Sequence, residues 1–471
     1  MKRFFFLLLL FPFVAIAQHS KSYTPPDDPL VVEKLAAWQD LKFGLLMHWG
    51  AYSLWGIVES WSLCPEDEGW TVRRGPYSNN WYEYKKAYEN LPTQFNPVKF
   101  NPDKWAEAAK AAGMRYVVFT TKHHDGFSMF DTKQTDYKIT ASQVPFSSNP
   151  KSDVTKEIFS AFRKKDFMIG AYFSKPDWHN ENFWWPYFPP KDRHVNYDIK
   201  RYPERWERFK DFTYNQIEEL MTGYGKMDIL WLDGGWVRPQ SSIDPAVSWQ
   251  ATVPFGQDVD MSRIATMARK HQPGLIIVDR SVPGLYENYT TPEQEVPEKP
   301  HDFPWETCMT MAGSWSYVPN DVYKPARKLI HLLADIVAKG GNFLLNIAPG
   351  PDGEWHDEAY VRLQELGGWM KVNQEAIYGT KPIAPYVENA WRFTIKQNNL
   401  YALYLAKDGE KMPESFTISH FTPPKNSEVH LLGYAKPLKW KKTPTGTQIT
   451  LPPALRQNPP TDWAWVIRMK H

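Results

Sequence analysis

The chain has 471 residues, more than one ordinary domain holds, so at least two domains are expected, one of them with a substantial core. Fifty-five Lys plus Arg against 53 Asp plus Glu leave a formal net charge of +2, which supplies no positive field for nucleic acid and excludes that class of partner. Aromatic residues make up 15 %, with 22 Trp and 24 Tyr, and while most belong in a core, aromatic faces in a cleft also stack on sugar rings.

The first residues, "MKRFFFLLLLFPFVAIAQHSKS", carry Lys2 and Arg3, an apolar run from Phe4 to Ile16 and the small-residue stretch Ala15-Ile16-Ala17. That is the pattern of a secretory signal cleaved after Ala17, too short and wrongly flanked for a membrane span. No Cys follows to take a lipid, so a secreted, periplasmic protein without a membrane anchor is expected. Cys64 and Cys308 form either one disulfide or two separate buried thiols, and two cysteines make no metal cluster.

Beyond the signal, short apolar runs alternate with amphipathic helical stretches. "FGLLMHWG" (43–50) is the first run, followed by a helix over 101–113 with Asn101 as cap, Pro102 at its first position and Gly113 as stop. Then come "YVVFTTKHHDG" (116–126), a helix over 153–165, "FMIGAYFS" (167–174), a helix over 204–223 and "ILWLDGG" (229–235). A helix over 261–271, "LIIVDRS" (275–281), the weaker "WETCMTM" (305–311), helices over 323–339 and 357–377, and "NFLLNIAPG" (342–350) complete the series. Near-continuous hydrophobicity over about five residues suits strands buried on both faces of a parallel sheet. The pattern predicts a (β/α)8-like, TIM-type barrel with its active site at the carboxyl rim, although only seven of eight strands are visible. From Lys381 the texture changes to short alternating strands split by Asn-Asn, Asp-Gly and Thr-Gly turns, which predicts a C-terminal antiparallel β-sandwich. The expected division is a signal peptide over 1–17, a catalytic barrel over 18–380 and the sandwich over 381–471, the last a stabilising appendage.

Every candidate strand ends in polar or aromatic groups: His48 and Trp49, then His123, His124 and Asp125, Tyr172, Trp231 and Asp233, and Arg280. Each has a plainer reading when taken alone. A single strand-end histidine is more often structural than functional, and Asp125 before Gly126 suits a turn. The adjacent His123 and His124 invite a metal, yet neighbours on a strand face opposite sides and a zinc site needs three or four converging ligands. Together, these groups fall at one end of successive strands, where independent structural accidents would not gather them.

The segments "KFGLLMHWGAYS", "KHHDGFSMF", "WLDGGW", "DRS" and "PWETC…SWSY", in this order over roughly residues 35–380, resemble the α-L-fucosidases of glycoside hydrolase family 29. The resemblance implies an irregular barrel followed by a β-sandwich. It also implies retaining hydrolysis of terminal α-L-fucose from a fucosylated glycan, without metal or organic cofactor. By the same resemblance Asp233 is the nucleophile, and Trp231 flanks the sugar ring. His48, His123, His124, Tyr172 and Arg280 bond the fucose hydroxyls or ring oxygen, and Trp315 lies near the C5 methyl. Trp49, beside His48, is placed in the same subsite.

The acid/base is expected from the loop after "DRS", which offers Glu293, Glu295 and Glu298, with Glu306 just beyond. Glu293, in "TTPEQ", best resembles the broad-specificity branch of the family; Glu295 comes second, and Glu306 is expected to anchor the following strand. One departure stands out. Where many relatives carry a Glu-Trp pair, this chain reads Asn80-Trp81 after an insertion over 58–78. Trp81 remains to stack, but the gripping carboxylate is missing unless Glu59 or Glu66 supplies it. A galactose-like sugar of the same stereochemistry therefore stays open as the substrate.

Overall fold

Seven short strands, β1 (Phe43–Met47), β2 (Tyr116–Lys122), β3 (Met168–Ser174), β4 (Ile229–Asp233), β5 (Ile276–Asp279), β6 (Glu306–Thr310) and β7 (Asn342–Asn346), pair in parallel in the order β5-β4-β3-β2-β1-β7-β6. The computed structural model describes residues 23–65, 73, 75–247, 250 and 256–471; the expected signal segment and Glu66 lie outside them. Side chains alternate along each strand. Leu46, Tyr116, Val118, Tyr172, Trp231 and Leu344 fill the inside of the curled sheet. Leu45, Met47, Val117, Phe119, Leu230 and Leu232 pack outward in the large cluster shared with the helices.

Two-sided burial explains the unbroken apolar runs, and the eighth position escapes such a reading because its segment is polar and irregular. Between β5 and β6 the chain runs as irregular extended backbone: Glu287 bridges Val278 antiparallel, while Thr290 and Glu293 bridge Trp305 and Cys308 in parallel. Asn288 donates to the Ile277 carbonyl, and Glu306 and Gln294 close onto Thr290 and Cys308 at 2.9 Å each. Segment 287–294 thus occupies the eighth position, reversing its pairing partway, which no period-two pattern encodes.

Eight helices flank the sheet among the described residues: α1 (Pro29–Leu41), α2 (Trp81–Glu89), α3 (Pro102–Ala111), α4 (Val154–Arg163), α5 (Pro203–Gly223), α6 (Met261–His271), α7 (Ala326–Ala338) and α8 (Asp357–Asn373). Asn101 caps α3 by accepting from the Lys104 amide at 3.2 Å, and Gly113 turns the chain at φ +92°. Helix α7 starts three residues later than its periodicity suggests. Lys324 precedes a proline, which disfavours helical backbone, and its amide is committed to the Met311 carbonyl at the exit of β6.

The C-terminal strands are β8 (Lys381–Glu388), β9 (Trp391–Lys396), β10 (Asn399–Leu405), β11 (Ser415–Ile418), β12 (Val429–Leu431), β13 (Lys439–Thr443), β14 (Gly446–Thr450) and β15 (Ala464–Lys470). They form a five-stranded sheet, β12-β15-β10-β9-β8, and a three-stranded sheet, β11-β14-β13. Phe393, Leu400 and Ile467 of one meet Phe416, Ile418 and Ile449 of the other in a shared core, the expected sandwich. It is anchored to the back of the barrel: Trp369 Nε1 donates to the Ala464 carbonyl at 3.0 Å, and Arg392 pairs with Asp335.

Candidate active site

A cavity of about 570 Å³ opens at the carboxyl ends of the parallel strands. Asp233, the last residue of β4, stands in it with its side chain 16 % exposed. Gly234 follows at φ +89°, where a Cβ would meet Pro176 Cδ at 2.3 Å, so only glycine lets the chain turn away directly behind the carboxylate. The Tyr172 hydroxyl donates to Asp233 Oδ2 at 2.7 Å, and Arg280 Nη1 approaches Oδ1 at 3.3 Å. Burial opposes the charged form, but Arg280, His124 and Tyr172 outweigh it and hold the Asp233 carboxyl at about 2. It is a carboxylate across the working range of pH.

Trp231 lies two residues before Asp233 on the same side of β4, stacked on Tyr172 at 5.3 Å with Arg280 over its ring. Its indole donates to Glu306 Oε1 at 3.2 Å, and the Tyr116 hydroxyl donates to Glu306 Oε2. Glu306 is fully buried beneath the cavity, and desolvation lifts it to about 7 against those two hydrogen bonds. It braces the floor and does not line the cavity.

His48, His123 and His124 also line the cavity. Burial keeps all three neutral: His48 is pushed down to about 4, His124 to about 3 and His123 well below the usual range. The adjacent pair does not face opposite sides. Strand β2 ends at Lys122, so both histidines sit in the turn beyond it, ring centres 4.1 Å apart, and both reach the cavity. Donor atoms of His123, His124 and Asp233 consequently fall within 4.8 Å of one another. Both Nδ1 atoms are engaged by serine hydroxyls, and the Arg280 guanidinium beside Asp233 opposes a second cation there.

Of the loop acids, Glu293 alone lines the cavity. Arg280 Nη2 donates to its Oε2, and Trp315 Nε1 donates to Oε1 at 3.1 Å. One guanidinium is therefore shared between Asp233 and Glu293. Glu295 offers its backbone carbonyl to Thr307 Oγ1 at 3.0 Å, and neither it nor Glu298 borders the cavity.

Two sequence-predicted residues lie elsewhere. Trp49 is buried behind the rim among Phe95, Phe100 and Trp105, its indole donating to the Gly350 carbonyl at 3.0 Å. Trp81 opens helix α2 and donates to the Leu63 carbonyl at 2.7 Å, while Asn80 is that helix's cap, accepting from the Tyr82 and Glu83 amides. Glu59 and Trp61 line the cavity instead, from a short helical turn within the insertion. The Ser316 amide donates to Glu59 Oε1 at 2.7 Å, and burial, with Asp233 nearby, raises the Glu59 carboxyl to about 8. Trp61 meets His124 edge-on at 5.2 Å, and Arg193 lies over the rings of Trp61 and Trp236. Arg193 and Trp236 also line the cavity; Arg193 carries no periodic or motif signal, and Trp236 closes the "WLDGGW" segment without being singled out there as a site residue.

Cys308 borders the cavity and Cys64 is packed in the outer core; no disulfide joins them, so the two-thiol alternative holds. No helix among the described residues is long and apolar enough to cross a membrane.

Residues 10–375 match the α-L-fucosidase family, and residues 385–470 match the α-L-fucosidase C-terminal domain. The chain is 29 % identical to the α-L-fucosidase of Branchiostoma floridae over 98 % of this chain and 99 % of that one. It is 28 % identical to the tissue α-L-fucosidase of Homo sapiens over 98 % and 96 %. Among solved structures, α-L-fucosidase isoenzyme 1 from Paenibacillus thiaminolyticus matches with a TM-score of 0.74 at 27 % identity, covering 94 % of this chain and 99 % of that one.

Proposed function

The chain belongs to the α-L-fucosidase family, and from that premise we propose that its rim cavity removes terminal α-L-fucose from a fucosylated glycan with retention of configuration. The observation that carries the reading is Arg280, which holds Asp233 and Glu293 on the two arms of one guanidinium. Retaining hydrolysis needs two carboxyls roughly 5–5.5 Å apart, and a shared guanidinium supports that spacing.

In the first step an Asp233 oxygen attacks the anomeric carbon while Glu293 gives its proton to the departing glycosidic oxygen, leaving fucose esterified to Asp233. In the second, Glu293 takes a proton from water, which attacks the same carbon and returns Asp233 as a carboxylate. Asp233 suits the first role because it is already ionised. Glu293 needs a proton for its own, so Arg280 must loosen its hold on Glu293 as it turns to the sugar's ring oxygen. The neutral histidines, Tyr172 and Glu59 surround the sugar hydroxyls, Trp231 and Trp61 flank its faces and Trp315 its methyl group. Glu59 and Trp61 take the place given to the Glu-Trp pair of relatives.

The amino-terminal pattern supports export by a cleaved signal to the periplasm. The deciding experiment is release of 4-nitrophenol from its α-L-fucoside by the chain beginning at Gln18, beside the α-D- and β-D-galactosides, with and without chelator. Chelator-insensitive turnover of the fucoside, with the α-anomer of fucose as first product by NMR, is expected. Turnover of a galactoside instead would reassign the sugar, and silence on all three would favour a sugar-binding protein.

A further inference from the structure

Each of the three rim histidines has one ring nitrogen in the cavity wall and the other committed to a buried neighbour, and the neighbours differ in what they offer. Asn346 Oδ1 accepts the His48 backbone amide at 3.1 Å while Asn346 Nδ2 donates to the Trp315 carbonyl at 2.7 Å, so the amide cannot be flipped. His48 Nδ1, 2.9 Å from the same Oδ1, must be the donor. Its Nε2 is then a bare acceptor.

Ser60 Oγ already accepts the Asp125 amide at 2.9 Å, and Ser60 is wholly buried. Among the described residues, the partner left for its hydroxyl proton is His123 Nδ1 at 2.5 Å, since an unmade buried bond would be costly. His123 therefore carries its proton on Nε2. At His124 the polarity reverses again: the Ser174 hydroxyl donates to the Pro176 carbonyl at 3.0 Å, leaving its oxygen to accept from His124 Nδ1. His124 Nε2 is left as an acceptor, 3.9 Å from Asp233 Oδ2 and outside hydrogen-bond range of it.

We propose that Asn346, Ser60 and Ser174 are positioning residues that lock His48, His123 and His124 into alternating tautomers, so that the cavity offers substrate hydroxyls an acceptor, a donor and an acceptor. The reading of the site as a fucose subsite supplies the substrate; the tautomers stand on the protein alone. A hydroxyl can donate and accept at once, so adjacent ring hydroxyls can follow this alternating pattern, whereas an ether or an ammonium group meets at least one nitrogen of the wrong polarity.

The test uses the full mature chain labelled with 15N-histidine, with long-range 1H–15N spectra recorded at pH 7 without substrate, and Asn346→Leu, Ser60→Ala and Ser174→Ala assigning the signals. The expected result is a proton on Nδ1 of His48 and His124 and on Nε2 of His123, with each substitution releasing its own histidine. A proton on Nε2 of His48 or His124, or on Nδ1 of His123, overturns the proposal. In kinetics, Ser174→Ala should lower kcat/KM about tenfold, the size of one neutral hydrogen bond. That loss should vanish on whichever of the 2-, 3- and 4-deoxyfucosides lacks the hydroxyl facing His124, and equal losses on all substrates overturn the positioning role. A chain that cleaves no fucoside refutes the functional reading alone, because the spectra need no substrate.

Discussion

The cavity has two walls of different origin. One grows from strand ends: His48, the His123-His124 turn, Tyr172, Asp233 and Arg280 lie at or directly beyond the carboxyl ends of β1 to β5. The other comes from long connections: Glu293 and Trp315 from the segments either side of β6, Glu59 and Trp61 from the insertion, Arg193 and Trp236 from the loops after β3 and β4. Strand-borne groups are fixed by a sheet buried on both faces, where a small displacement costs packing. Loop-borne groups can be exchanged without disturbing that core. The difference teaches that the proposed nucleophile and its strand-end neighbours belong to the scaffold, while the proposed acid and the rest of the pocket belong to segments free to vary.

The strand wall breaks hardest. Asp233→Ala should lower kcat on the aryl fucoside on the order of 10⁴- to 10⁶-fold, the scale at which losing a nucleophile leaves only binding and electrostatics. Cooperative unfolding should persist; losing fold and activity together would refute a purely chemical role. Glu293→Ala comes next, with a fall of roughly 10²- to 10⁴-fold, the usual contribution of a general acid/base. Azide should restore turnover as an α-fucosyl azide with the configuration of the substrate, because a small anion can attack the ester without a base and the two displacements cancel. Glu295→Ala should stay near wild type, and azide rescue of that variant instead would show that the wrong loop acid has been chosen.

The same division governed what the sequence could reveal. Asp233 was legible because an acid closing an apolar run must leave the core, and Tyr172 and Arg280 because their strands announce themselves by composition. The fold class was equally open to reading, from two-sided burial in the barrel to short strands split by turn residues in the sandwich. The eighth barrel position was hidden because segment 287–294 changes partner and direction midway. Trp49 misled for a related reason: it follows His48, yet outside a strand adjacency does not set direction, and its side chain turns into the outer core. The His123-His124 turn erred the opposite way, bringing both rings inward. Arg193 lies in a loop with neither period nor motif, and Trp236 closes the "WLDGGW" segment beyond the end of β4, where only tertiary structure shows what faces the cavity.

Glu59 sharpens the comparison through pH. Its carboxyl stands at about 8 against an ordinary 4.5, so the folded chain keeps a proton that the unfolded chain releases between those values. Stability contributed at this site is therefore lost as pH rises through that window. His48 and His124 act oppositely: depressed to about 4 and about 3, they are protonated first in the unfolded chain, so their contribution grows as pH rises toward 6.5. Glu59→Gln removes the first trend alone. Its melting temperature relative to wild type should climb between pH 5 and pH 8, on the order of 2–4 °C for each kcal/mol of relief. A difference that stays flat with pH would mean that Glu59 is ionised in the folded chain.

The smallest effect separates two tryptophans that the sequence could not. Trp61 faces the cavity against His124, whereas Trp81 and Asn80 belong to the start of α2, outside it. Asn80→Ala removes acceptors for the Tyr82 and Glu83 amides and should cost about 1 kcal/mol, the usual worth of a helix cap. Helix α2 touches the surroundings of the site through Trp81, which donates to the Leu63 carbonyl, and through Tyr88, whose hydroxyl donates to Asp125 Oδ2 behind the histidine turn, and neither bond is made by Asn80. Thermal unfolding should record the cap, while kcat/KM on the aryl fucoside should move less than about twofold, as for a site with no shared partner. Trp61→Ala should lower kcat/KM by about tenfold or more, the scale of a lost stacking face. If Asn80→Ala instead raised KM as strongly as Trp61→Ala, the 80–81 pair would be touching sugar after all, and the loop wall would extend to the start of α2.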